Sequence, residues 1–388
     1  MKRRAFSIGC CCCGVLATMP AYAWEMPERF PRPEASTDEG GLWAMVDREE
    51  SRIARSRFLL ENEPLQRYVN DITCRLASHH CPDIRAYLVH TPFFNASMAP
   101  NGMLQLWSGL LLRITNEAQL AAIIGHEIGH YVAKHSLARF RDAKAKAAFG
   151  QFVGMFLGAA GAGGAVAGLV TQFALVASMF AYSREHEMQA DEISLELMSQ
   201  AGYSPLEAPQ IWKNLSDEKK AGAGGEENAG SILFATHPIA EERMERLKNL
   251  AGKMPSGGSV GEEAFAAVIR PVRQDLLQDQ LKLRQPGESL FLINRLLQED
   301  KDNGQLLYFK GEAFRLRNGD NDIEKAIDAY QASLRSKSPP DEAYRSLGLV
   351  EMKNGNREAA RSYFRTYLDK RPNAEDAGLI RSYVDEDN

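Results

Sequence analysis

The spacing of apolar and polar positions changes character several times along the chain, and each change predicts a different element. Arg85–His90 reads as a strand, and Phe93–Ala99 with Gly102–Trp107 reads as a hairpin turning at Pro100-Asn101-Gly102. Ala118-Gln119-Leu120-Ala121-Ala122-Ile123-Ile124-Gly125 is apolar on nearly every side, which predicts a helix buried all round. Ala147 to Tyr182 then runs for 36 positions without a charged residue, longer than the roughly 20 residues of a membrane span. Glycine and alanine dominate this stretch and leucine is sparse, so the expectation is two small-residue helices packed over neighbouring structure and touching a membrane surface. A membrane hairpin turning at Gly158–Gly164 is the alternative.

Two polar, glycine-rich stretches punctuate the second half. Ser216–Gly230 predicts a mobile loop, and Gly252–Ser259 a linker, placed at 253–262. Beyond it the pattern is helical. Counting from Tyr344, the positions Leu347, Gly348, Ala360, Phe364 and Pro372 fall where a 34-residue tetratricopeptide repeat wants its aromatic, small and helix-ending residues. Leu307, Gly311, Phe314, Ala326, Tyr330 and Pro339 form a second copy with about three extra residues near Gly319. With helices expected over Glu263–Leu283 and Glu375–Val384, two such units can bury a continuous core, and the concave face of a solenoid suits a protein partner.

The chemistry lies at the end of the buried helix. His126-Glu127-Ile128-Gly129-His130 puts two imidazoles one turn apart on one helical face, where both can reach one cation, with Glu127 beside them. Two histidines and a glutamate in so apolar a helix are costly unless paired or bound to metal. A catalytic zinc takes three protein ligands and keeps a position for water, so a third ligand must come from elsewhere. Glu187 is the best candidate, because Asp191 stands four residues later and can hold the free N–H of a ligating histidine. If His130 and Glu187 meet on one metal, the 147–182 stretch crosses a membrane twice or not at all. His135 and His186 are expected to face elsewhere, as surface or supporting residues, and His79, His80 and His90 carry no ligand spacing.

The order of Asn95–Gly102, Ser108-Gly109-Leu110-Leu111, Asn116-Glu117, the H-E-x-G-H pentad, Ser183-Arg184-x-x-Glu187-x-x-Ala190-Asp191 and Thr236-His237-Pro238 resembles the gluzincin metallopeptidases of the HtpX and CAAX-prenyl-protease group, in particular its periplasmic members with C-terminal repeats. The resemblance implies one zinc ion per chain held by His126, His130 and Glu187, Glu127 as general base, and Asp191 as the supporting aspartate. It also implies that the Asn95–Ala99 strand is a sheet edge beside the cleft, where an extended peptide substrate pairs with main-chain hydrogen bonds. In such members the histidine of the His-Pro motif can occupy the fourth zinc position in a closed resting form. Here that is His237. Alternatively His237 or Arg243 donates to the oxyanion formed during peptide hydrolysis, or His237 simply precedes a helix that starts at Pro238.

The ends set the compartment. Lys2-Arg3-Arg4, an apolar run to Met19 and Ala21-Tyr22-Ala23 predict a signal peptide over residues 1–23, cleaved after Ala23, and hence a periplasmic protein. Loss of three positive charges takes the formal net charge from −5 to about −8, which argues against nucleic acid as a partner. In an oxidising compartment Cys74 and Cys81 are expected to pair locally.

The sequence therefore predicts a mainly α protein: a zinc metallopeptidase domain with a small β-sheet over 24–252, then an all-α tetratricopeptide-type solenoid over 263–388. The resemblance implies protein and peptide substrates, a role in envelope protein quality control, and repeats that bind clients or the outer-membrane assembly machinery. A chaperone-like adaptor with a zinc site normally closed by His237 is the alternative.

Overall fold

The computed structural model describes residues 24–145, 182–222, 237 and 241–385. The signal-peptide stretch, nearly all of the uncharged 147–182 stretch and most of the glycine-rich loop lie outside the described residues.

Among them the protein is mainly helical with one three-stranded sheet. After α1 (Asp38–Ile53) and α2 (Glu63–Ala77) come β1 (Arg85–Val89), β2 (Ala96–Met98) and β3 (Met103–Trp107), in the spatial order β1-β3-β2. The expected hairpin is present: β2 pairs antiparallel with β3, with Ala96 opposite Leu106. Gly102 makes its turn possible, because its φ of +88° suits glycine and a side chain there would collide with the Asp83 carbonyl. β1 joins the other side of β3 in parallel, so β2 is terminal in the sheet. Cys74 and Cys81 are disulfide-bonded at the end of α2, their Cα atoms 4.6 Å apart.

The zinc-motif helix is α3 (Glu117–Val132), capped by the Asn116 side chain, which accepts from the Gln119 N–H. Every residue of α3 is buried, as its apolar run predicts. α4 (His135–Ala145) follows after a sharp turn, and α5 (Arg184–Gln200) packs directly across α3. Close approach is built into the sequence: a Cβ on Gly129 would sit 3.0 Å from the Ala190 backbone, and Gly125 lies against Ser194, whose hydroxyl donates to the Ala122 carbonyl. α6 (Ala208–Gly222) and α7 (Glu241–Ala251) complete the wall around the pair.

The C-terminal half contains α8 (Glu262–Ile269), α9 (Arg273–Lys282) and α10 (Pro286–Glu299), then the paired helices α11 (Gly304–Arg317) with α12 (Asp322–Arg335) and α13 (Glu342–Lys353) with α14 (Arg357–Lys370), and finally α15 (Ala377–Asp385). The two pairs repeat one packing device: Gly311 lies against the Tyr330 ring and Gly348 against the Phe364 ring, with no room for a side chain at either glycine. The segment expected as a linker is tied to the peptidase half, since Ala118 N–H donates to Val260 O and Ser204 N–H to Ser259 O. Buried Arg113 reinforces the junction by reaching Glu218 on α6 at 2.6 Å and Gln280 on α9 at 2.9 Å. One hydrophobic core runs without interruption from Leu65 to Val350. No described helix is long and apolar enough to cross a membrane.

Candidate metal centre

Because α3 and α5 touch at Gly129 and Ala190, the side chains one turn away on each helix converge. Ligand atoms of His126, His130, Glu187 and His237 all lie within 4.8 Å of one another, and all four residues are buried. His126 Nε2 is 3.0 Å from His130 Nε2, 3.3 Å from His237 Nδ1 and 3.5 Å from Glu187 Oε2. Glu187 Oε1 is 3.4 Å from His130 Nε2 and 2.9 Å from His237 Nδ1. A tetrahedron of nitrogen and oxygen around zinc at bond lengths of 2.0–2.2 Å has edges of about 3.3 Å, so this donor set fits zinc in type and spacing.

The groups behind the donors are equally ordered. His126 Nδ1 meets Asp191 Oδ1 at 2.9 Å. Arg243 clamps Asp191 through Nε at 2.7 Å and Nη2 at 2.9 Å, and its Nη1 reaches Glu187 Oε2 at 2.5 Å. Burial alone would raise the Asp191 carboxyl, but the Arg243 charge and hydrogen bonds, with His126, hold it at about 2. Burial likewise opposes the Glu187 charge, and the surrounding histidines more than offset it, so its pKa falls well below the ordinary carboxylate range. The Arg243 guanidinium also lies 4.8 Å from the centre of the Trp212 ring.

Glu127 stands apart from the donor set. It is 2% exposed, burial raises its pKa against the pull of His237 and His126, and its Oε2 has no hydrogen-bond partner. A buried carboxylate oxygen left free beside a metal-type donor set is placed to take a proton from a reacting water. Next to it is an apolar recess lined by Phe94, Ala96, Ala122, Ile123, Ile211, Trp212 and Leu247, and bounded by His126, Glu127 and His237.

His126, Glu127, His130, Glu187, Asp191, His237 and Arg243 are thus brought together, while His79, His80 and His90 lie outside the donor cluster. His135 is a supporting residue, one of the two expectations, but it faces the cluster rather than away from it. α3 ends at Val132, Lys134 takes a left-handed φ of +54°, and the chain folds back so that His135 is buried with its Nδ1 2.9 Å from His130 Nδ1. Five residues of continuous helix would have turned it away; the helix stops after two. Burial pushes its pKa down to about 4. Tyr182, which carries no motif signal although it immediately precedes Ser183-Arg184, stacks on His130 with ring centres 3.7 Å apart and meets Ser136 Oγ at 2.9 Å. Trp212 was detectable only as an aromatic on an amphipathic helix, with nothing local to mark it as part of the site.

A buried pair of histidines and a carboxylate with a free glutamate on the same helix defines a metal-dependent peptidase centre. Residues 59–251 match Peptidase family M48, so the chain carries a metallopeptidase domain of this family. It is 29% identical over 235 residues to the beta-barrel assembly-enhancing protease of Escherichia coli strain K12, covering 56% of this chain and 46% of that one. It is 25% identical over 260 residues to a putative beta-barrel assembly-enhancing protease of Vibrio cholerae, covering 63% and 52%. The mitochondrial metalloendopeptidase OMA1 of Schizosaccharomyces pombe is 29% identical over 196 residues, covering 50% of this chain and 55% of that one. The chain spans about half the length of these relatives.

Proposed function

We propose that this protein is an exported zinc endopeptidase that hydrolyses misfolded or stalled envelope proteins. The observation that carries the reading is the buried Glu127 carboxylate, its Oε2 unbonded, beside the convergent His126, His130 and Glu187. Zinc bound there supplies Lewis acidity toward water and toward the peptide carbonyl. Glu127 takes the proton of the attacking water and delivers it to the leaving amine. The outer side of β2, terminal in the sheet, receives an extended peptide by main-chain pairing, and the apolar recess beside Glu127, about 30 Å³ in volume, accepts a small apolar side chain adjoining the cleaved bond.

His237 supports a closed resting form. Its Nδ1 lies where a fourth ligand belongs, against Glu187 and His126, and its Nε2 is 3.6 Å from Glu127 Oε1. The same position favours a second reading, in which the helical repeats act as a chaperone-like adaptor and the zinc site is normally shut. In both readings the repeats bind clients or the outer-membrane assembly machinery. The Escherichia coli relative, named for beta-barrel assembly, supports that partner and an envelope location, and the Ala21-Tyr22-Ala23 signal is what favours export with cleavage after Ala23.

The test combines metal analysis with casein cleavage. Wild type is expected to carry one zinc and to lose activity on chelation. Glu127→Gln is expected to keep the metal while cleaving at least about 100-fold more slowly. A Glu127→Gln variant as active as wild type defeats the peptidase reading.

A further inference from the structure

His130 and His126 are unequal ligands. With Nε2 turned toward the donor cluster, each ring carries its proton on Nδ1, and the group facing that N–H fixes the ring and sets its basicity. His126 faces the Asp191 carboxylate, itself held by Arg243. His130 faces another imidazole: His135 Nδ1 at 2.9 Å. Since His130 Nδ1 is the donor of that bond, His135 Nδ1 is the bare acceptor and its own proton sits on Nε2. Gln189 Oε1 receives it there at 3.0 Å. The His186 ring stacks on His135 with centres 4.2 Å apart and an interplanar angle of 20°, and Tyr182 stacks on the other member of the pair, His130. α5 thus supplies three functions in five residues: Glu187 as ligand, Gln189 as the end of the His130 chain, and Asp191 as the partner of His126.

We propose that His135 and Gln189 are positioning residues that hold His130 in its metal-ligating tautomer through an uncharged hydrogen-bond chain, while Asp191 holds His126 with a charged one. The proposal rests on the metallopeptidase reading. The asymmetry has a chemical consequence. A second carboxylate behind His130 would add negative charge next to Glu187, Asp191 and Glu127, and would weaken the electron-withdrawing power of a bound cation; an imidazole orients the ligand without adding that charge.

The experiment measures zinc affinity of the purified, metal-stripped protein by competition with a chromophoric chelator, together with the absorption spectrum of the cobalt-substituted form. His135→Phe keeps a ring of similar size but removes the acceptor. It is expected to bind zinc about 10- to 100-fold more weakly, with an altered cobalt spectrum and an unchanged far-ultraviolet circular dichroism spectrum. His135→Asn restores a carbonyl acceptor and is expected to recover most of the affinity, a rescue that a merely space-filling role would not give. Gln189 is exposed, so Gln189→Leu provides a milder variant that leaves the core in place, expected to lose affinity in the same direction. Equal affinity of wild type and His135→Phe, or no rescue by asparagine together with wild-type affinity in Gln189→Leu, overturns the proposal while leaving the peptidase reading intact. Absence of zinc binding by wild type overturns both.

Discussion

Arg243→Met isolates the electrostatics of the centre from its chemistry. Methionine approximates the length of the arginine stem and can still lie on Trp212, but it removes every hydrogen bond to Asp191 and the contact with Glu187. Arg243 is 7% exposed, and both of its carboxylate partners are buried. Asp191 falls from its ordinary 3.8 to about 2, a shift of roughly two units, equivalent to about 2–3 kcal/mol of folding stability. Part of that hold belongs to His126 and survives the substitution, while Glu187 loses a cation as well. Breaking a buried pair by removing one partner costs about 3–5 kcal/mol, so a net loss near 3 kcal/mol at pH 7 is expected for the metal-free protein. The sign with pH follows from the depressed value. The Asp191 contribution is full above its unfolded pKa near 4 and disappears as pH falls toward its folded value near 2. Urea unfolding of chelator-treated wild type and Arg243→Met at pH 7 and pH 3 should therefore give a gap that narrows at the lower pH. A penalty under about 1 kcal/mol, or one unchanged between the two pH values, refutes the clamp. Loss of turnover without loss of stability would instead assign Arg243 to the oxyanion.

Three further outcomes are expected. His237→Ala vacates the fourth ligand position and should raise casein cleavage at unchanged zinc content; a variant with abolished turnover would place His237 on the transition state instead. In a peptide library, cleavage should favour small apolar residues such as alanine beside the cut bond, because the recess holds only about 30 Å³, and Ala122→Leu, which fills it, should shift the preference to glycine; an unchanged preference removes the recess from substrate binding. Gly129→Val places two methyl groups where one Cβ already meets the Ala190 backbone at 3.0 Å, so α3 and α5 must part. Zinc affinity in the same chelator competition should drop at least about tenfold, and retention of wild-type affinity would show that the crossing tolerates the added volume.

What could be read from the chain beforehand was what helical geometry encodes locally. His126 and His130 share a face because they are four apart, and Glu187 and Asp191 share one for the same reason, so the residues that the structure brings together could be placed on their faces before any tertiary structure. The paired helices of the C-terminal half were legible because Gly311 with Tyr330 and Gly348 with Phe364, 19 and 16 positions apart, repeat one steric requirement. The parallel pairing of β1 with β3 was not legible, since nothing in either strand marks its neighbour. His135 was hidden by a helix stop at a non-glycine residue, Lys134, whose left-handed backbone has no composition signal.

The junction between the halves was hidden for a different reason: Arg113, Glu218 and Gln280 are mutually far apart in sequence and meaningful only as a buried triad. That junction changes how the two functional readings can be separated. Leu306, Tyr308 and Phe309 at the start of the repeats belong to the same core as α3. Removing residues 305–388 would therefore expose apolar surface continuous with the metal centre, and loss of proteolysis in such a truncation would report damage to the core rather than loss of a recruited client. Substitutions at exposed side chains of the C-terminal helices such as Leu349 and Leu379, 39% and 56% accessible, leave the shared core in place. If the repeats recruit clients, these variants should cleave unfolded casein at the wild-type rate while losing activity on envelope substrates. Equal loss on both would return the solenoid to a structural role.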